Sequence, residues 1–454
     1  MAAALLVAAT AISYASARAP LASLGALTAI VLALLVVTQP RALLLLLAAS
    51  LPWEGMLEFP SETFSVVKIF GLLLFASVAL GIARGEQRLY LPTTGLAVVV
   101  FGLGIAVSLI FSADAGAGVG KLLRYALFIA FFFLVVELVD DRRWLMRLLT
   151  IFSLSVTGAA VMGLTLFLSG DEALASGPIT DPNDYGYMLA TTLPLVAYLL
   201  IEDRQRRWLW IVALPIILAA MFATLSRSVA TAGLVIAIWA LLTRRVSIRG
   251  VVAAVAVAVI LMVAAVSVWS PLIDERIEQK GAIAAENVAS RQSLWDAAIA
   301  MWMDHPLTGV GPDRFGVESV DYVRDNPVIL PEPVTHNTYL EILAESGPLA
   351  LVAFLWFLAA SWGTLRREER AASVAGDRSV ARLAAALQAS LLAAVVAAMF
   401  LSEQLASPFW LIGALAAAIP RVRAGAIGPV TGGLQVSDAA PAPPGVTVRG
   451  ASAG

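Results

Sequence analysis

The residues that could do chemistry are few and can be found one by one. Residues 334–351 read VTHNTYLEILAESGPLAL and carry His336, one of two histidines among 454 residues. A neutral imidazole near pH 7 can accept the proton of a hydroxyl. Arg227 lies in TLSRSVATAG, and Arg291 opens SRQSLWDAAIAMWMDHPLTGVGPDRFG. Two arginines without a carboxylate beside them suit a diphosphate, because guanidinium binds phosphate oxygens in bidentate fashion. Asn337 follows the histidine, and Asn183 lies in ITDPNDYG at 179–186. A bound diphosphate and an activated hydroxyl together spell transfer of a group away from a diphosphate leaving group.

Such chemistry needs these segments in one layer, and the rest of the chain provides it. Hydrophobic residues make up 60% of the sequence, charged residues 14%, and mean hydropathy is +0.87. A soluble domain of this length needs far more surface charge. Apolar runs near the length that crosses a bilayer recur. They fall at about 2–17, 20–38, 41–53, 63–84, 91–112, 121–139, 144–168, 184–201, 208–224, 229–243, 250–269, 348–366, 382–404 and 407–420. The expected fold is an all-α, polytopic transmembrane helix bundle of about 12–14 spans with one long extracytoplasmic helical loop. The start, MAAALLVAATAISYASARAP, has no basic region before its apolar run and reads as a first helix, not a cleaved signal.

Orientation follows from arginine placement. The connections ARGEQR, DDRRW, EDRQRR, TRRVSIR and RREER…GDRSVAR alternate with WEGMLEFPSE, SADAGAGVGK and SGDEALASGPITDPND. The first set is expected in the cytoplasm. Residues 270–347 then form an extracytoplasmic loop, long enough to expect function there. The division is a transmembrane bundle over 1–269, the loop over 270–347, further transmembrane helices over 348–420, and a disordered cytoplasmic tail over 421–454, rich in Ala, Gly and Pro. Arg227, Arg291, His336 and the 179–186 segment all fall on the extracytoplasmic side. No basic stripe suits nucleic acid. Cysteine is absent, no metal-ligand cluster stands out, and no cofactor is called for.

Within the loop, Leu294, Trp295, Ala298, Met301 and Trp302 recur at helical spacing and suit a membrane–water boundary. Pro306 ends that helix, and Gly309, Gly311 and Pro312 make a turn. His336, Leu340 and Leu343 lie at i, i+4 and i+7 on one side of a short helix, with Asn337 on a neighbouring face. Gly347 caps that helix and Pro348 stops it. Simpler uses stand beside the chemical ones. His336 could bond a backbone carbonyl at a helix start. Arg227 could anchor a helix in headgroups, and Arg291 could be a surface residue. Asp181, Asn183 and Asp184 could be turn and cap residues. His305 suits a cap before a proline turn. Glu341 and Glu345 are expected to face water. Lys68, some five residues into its span, could serve function or snorkel.

Four segments also carry a resemblance. HNTYLEILAESG fits a His-Asn, nine residues, Gly pattern and resembles the signature of the O-antigen ligase and polymerase superfamily of bacterial envelope proteins. RQSLWDAAIAMWMDHPLTGVGPDRFG is similar to the stretch before that signature, TLSRS to an arginine-bearing helix junction, and TDPNDYGYMLA to an upstream Pro-Asn segment. The resemblance covers roughly residues 179–351. It implies a multi-pass protein of the bacterial cytoplasmic membrane that moves a glycan from undecaprenyl diphosphate to a glycan, lipid or protein acceptor outside that membrane, without a metal. By the same resemblance, His336 matches the general base, and Arg227 and Arg291 match arginines that hold the diphosphate. Asn337 and Gly347 match the rest of the signature; Asn337 then stands with His336 as catalytic, and Asn183 and Gly347 belong to a possible donor or acceptor site. Pro348 and Ala350 depart from the Leu and Gly of many members, which should alter how the chain enters the next helix. Ligation and repeat-unit polymerisation remain alternatives. From a different class, so does a transporter or flippase of lipid-linked sugars.

Overall fold

The structure is a computed structural model. It describes residues 38–57, 65–85, 90–172, 174–250, 252, 256, 260, 291–323 and 334–427. The expected span at 2–17, most of those at 20–38 and 250–269, residues 270–290 and 324–333 of the expected loop, and the tail beyond 427 lie outside these. Among the described residues the regular structure is helical. It comprises α1 (Pro40–Ser50), α2 (Val66–Ala83), α3 (Thr93–Phe111), α4 (Ala115–Leu138), α5 (Arg142–Ser169), α6 (Pro182–Glu202) and α7 (Arg207–Ala223). There follow α8 (Arg227–Leu242), α9 over 291–304, α10 (Phe315–Tyr322), α11 (Thr338–Val374), α12 (Arg378–Ala397) and α13 (Ser407–Ile427).

Helices are the form that satisfies each backbone polar group internally where no water is available. Eight described helices are long and apolar enough to cross a membrane, and α8 is apolar but shorter. The chain is a polytopic helical bundle. Short acceptor side chains start many of these helices. Ser65 caps α2, Asp114 α4, Asp141 α5, Asp181 α6, Asn337 α11 and Asp377 α12, each accepting from backbone N–H groups of the first turn. Some expected boundaries move. The 41–53 run is only α1 and a 3-10 turn, Leu51–Met56. Lys68 is the third residue of α2, so it lies at the helix end and not well inside.

Ion pairs mark one end of the bundle. Arg41 meets Asp140 at 2.7 Å, Arg382 meets Glu202 at 2.5 Å, Arg245 meets Glu369 at 2.7 Å and Arg423 meets Glu368 at 2.6 Å. Arg421 approaches Glu137 and stacks on Tyr90. These residues come from the start of α1, α5 and α12 and from the end of α4, α6, α8, α11 and α13. The arginine-rich connections therefore gather at one end. The segments singled out for chemistry gather at the other.

The centre of the bundle is α11, packed chiefly on α3 and α12. Phe101, Phe354, Phe357 and Trp410 form its aromatic core, with ring centroids 5.4–6.2 Å apart. The expected helix stop at Gly347 is instead a kink. Gly347 takes φ 74° and ψ −180°, and helix resumes through Pro348. The cause lies in hydrogen bonding. Proline has no N–H, so the carbonyl of Ala344 lacks its helical donor. Val310 N–H supplies it at 2.9 Å. The carbonyl of Glu345 likewise accepts from Gly311 N–H at 2.9 Å and from Ser108 Oγ at 2.6 Å. The break in α11 is thus the dock for the 305–312 turn. A Cβ on Gly347 would run into the Leu307 carbonyl oxygen. Gly347→Ala should therefore cost about 1–3 kcal/mol through strain and overpacking, read as a lowered Tm of the purified protein.

Candidate functional site

Four pieces of backbone converge at the end opposite the arginine-rich connections. Asp181 starts α6, accepting from Asn183 N–H at 2.6 Å and Asp184 N–H at 3.2 Å. Ser226, just before α8, donates to Asn183 Oδ1 at 2.8 Å and pairs with Ser228 Oγ at 2.9 Å. The α6 and α8 starts are thereby clasped, with Arg227 as the first residue of α8. Helix α9 begins its described course at Arg291. Trp295, one turn on, donates its indole N–H to the Thr335 carbonyl at 2.9 Å. That bond fixes α9 against the turn that carries His336. Thr180, Leu225 and His336 all take positive φ, at 21°, 47° and 49°. Such conformations cost energy in non-glycine residues and persist where surrounding contacts hold them.

His336 lies outside the helix. Asn337 is the cap, its Oδ1 accepting from Tyr339 and Leu340 N–H at 3.1 Å each. The expected i, i+4, i+7 face with Leu340 and Leu343 therefore does not form, because the left-handed turn at His336 precedes the first helical residue. The half-buried imidazole is held below its ordinary pKa, first by burial and then by the Arg291 guanidinium, while Asp181 and Glu341 pull the other way. Arg291 is itself lowered, by burial and then by Arg227, against the pull of Asp181. Two guanidiniums and a neutral imidazole thus share one site, and the cation pair would gain from an anion between them. Arg227, Arg291, Ser228, Thr231, Trp295 and Phe400 line a cleft of about 350 Å³. His336 is not in its wall but stands next to it, beyond the Trp295–Thr335 bond.

A buried ion triad lies behind the turn. Lys121 of α4 places Nζ 2.9 Å from Glu341 Oε1 and 2.7 Å from Glu345 Oε2, with all three side chains under a tenth exposed. Gln404 Nε2 and Thr335 Oγ1 donate to the Glu341 oxygens, and Phe315 N–H donates to Glu345 Oε1 at 3.2 Å. The expectation that these glutamates face water is overturned. The kinked first turns of α11 sink into the bundle, and that face meets Lys121. Glu403 is a second buried acid, 3% exposed. Burial and then the facing Asp184 carboxyl push it well above the usual carboxylate range.

Residues 212–355 match the family model described as O-antigen ligase. That stretch of the chain is thereby similar to O-antigen ligases. No curated protein matches the chain. The O-antigen ligase match spans Arg227, Arg291, His336, Asn337 and Gly347, but not Asn183 or Lys121.

The structure gathers Arg227, Arg291 and His336, with Asn183 at the margin as a clasp. Asn337 serves as a helix cap and Gly347 as the kink. His305 is exposed at the end of α9. The apolar face of α9 turns inward: Leu294, Ala298 and Met301 form a small core with Val310, Phe315 and Ala344. Trp295 walls the cleft, and Trp302 bonds the Pro306 carbonyl at the surface. The sequence reading passed over Lys121. The available signal was a lone lysine in an apolar span together with two glutamates at i and i+4. Removing one partner of a buried pair strands the others. Lys121→Met should destabilise the protein by about 3–5 kcal/mol, seen as a lowered Tm and reduced membrane yield.

Proposed function

We propose that this protein is an O-antigen ligase-like membrane glycosyltransferase that moves a glycan from undecaprenyl diphosphate to an acceptor hydroxyl outside the cytoplasmic membrane. The observation that carries the reading is the convergence of Arg227, Arg291 and a neutral His336 inside the O-antigen ligase match. His336 takes the acceptor proton as the hydroxyl oxygen bonds to C1 of the reducing-end sugar. The bond from C1 to the diphosphate oxygen breaks, and its electron pair leaves with the diphosphate. A single displacement of this kind inverts C1. Arg227 and Arg291 neutralise charge as it develops on the leaving group, the position where fixed cations lower a barrier most. The 270–347 segment serves as the extracytoplasmic catalytic loop in this reading, and Trp295 with Phe400 offers apolar surface beside the diphosphate.

His336→Ala should remove transfer by about 10²–10⁴-fold, the usual share of a positioned base. In cells lacking their own copy, with membrane levels matched to wild type, surface polysaccharide should disappear and lipid-diphosphate-linked glycan should accumulate. Unchanged surface product would overturn the reading and favour a scaffold or transporter. Because His336 titrates below its ordinary value, the acid limb of kcat/KM should lie below about 6.5, the reference for free histidine. A limb above that value would contradict its assignment as the base.

A further inference from the structure

The Lys121 triad neither holds a donor nor activates a hydroxyl in the reading above, yet it is built toward His336. Lys121 Nζ is shared between Glu341 and Glu345. Glu341 Oε2 accepts the Thr335 hydroxyl at 3.0 Å, and Thr335 is the residue directly before the histidine. The Thr335 carbonyl in turn accepts from Trp295, one turn along from Arg291 on α9. One continuous set of bonds therefore runs from α4 to both the imidazole turn and the helix that bears an arginine of the cleft.

Charge runs along the same route. Two effects make His336 a poorer base: burial and the neighbouring Arg291, with Arg227 beyond it. Two carboxylates oppose them, Asp181 from the segment before α6 and Glu341 from α11. Asp181 is exposed, so solvent screens it. Glu341 is buried, and its charge acts through a low dielectric. Lys121 keeps that carboxylate in place and is itself divided between two acids.

We propose that Lys121 and Glu341 are positioning residues for His336. Lys121 fixes the Glu341 carboxylate, which holds the imidazole turn through Thr335 and sustains the basicity of the ring with its charge. This rests on His336 being the base, and the test separates the two claims.

The experiment measures kcat/KM against pH for the full-length protein in nanodiscs, with a lipid-diphosphate-linked glycan donor and a hydroxyl acceptor. Glu341→Gln removes a negative charge near the imidazolium. The acid limb should move to lower pH, and the plateau should fall. Thr335→Val cuts only the hydroxyl link, so the plateau should fall several-fold with the limb in place and donor KM little changed. A limb that stays put in Glu341→Gln, or an undiminished plateau in Thr335→Val, overturns the proposal. Should Glu341→Gln fail to accumulate, the Thr335→Val plateau alone decides the positioning claim. His336→Ala, run alongside, reports on the base itself. Wild-type rates there would sink the function proposed above, whereas lost rates with unmoved profiles would sink only this inference.

Discussion

The end of the bundle that carries the site depends on one buried cation. Lys121 enters a low-dielectric interior, where an uncompensated charge costs several kcal/mol. It is tolerable there only because Glu341 and Glu345 close on it at 2.9 and 2.7 Å. Those two carboxylates sit one turn apart on α11 and drag the first turns of that helix inward. Everything nearby is then arranged against them. Phe315 N–H reaches Glu345, Gln404 reaches Glu341, and the Thr335 hydroxyl reaches Glu341. Three separate connections are thereby fixed relative to α4. The kink at Gly347 is part of the same arrangement, because the Ala344 carbonyl that Pro348 leaves without its donor, and the Glu345 carbonyl beside it, receive the 305–312 turn.

The bundle itself was legible because span boundaries depend on local composition. The apolar runs at 63–84, 91–112, 144–168 and 208–224 appear as α2, α3, α5 and α7 within a few residues. The alternation of arginine-rich connections anticipated which helix ends lie together, since like ends share ion pairs across α1, α5, α6 and α12. The convergence of Arg227, Arg291 and His336 followed from that topology. What was not legible was long-range. Glu341 and Glu345 are ordinary helix-surface residues by spacing, and their burial depends on a lysine more than two hundred residues away. The turn at His336 was missed because Asn337 was read as a second chemical group and not as a cap. The α9 face was assigned to the membrane because nothing local announces that Phe315 and Val310 will cover it.

The site brings two guanidiniums, Arg227 and Arg291, together with acidic groups, and both Arg291 and His336 feel Asp181. That combination is physically coherent for a displacement reaction. The leaving group gathers negative charge and belongs with the guanidiniums, whereas the attacking hydroxyl loses a proton and gains from nearby acceptors. Asn183 and Ser226 tie the α6 and α8 starts together.

The most direct test is single-turnover transfer by wild type and His336→Ala in nanodiscs, with binding of the lipid-diphosphate donor measured on the same samples. The account predicts that the variant binds donor as wild type does, because Arg227 and Arg291 are intact, and transfers almost none of it. Transfer at the wild-type rate by His336→Ala would contradict it.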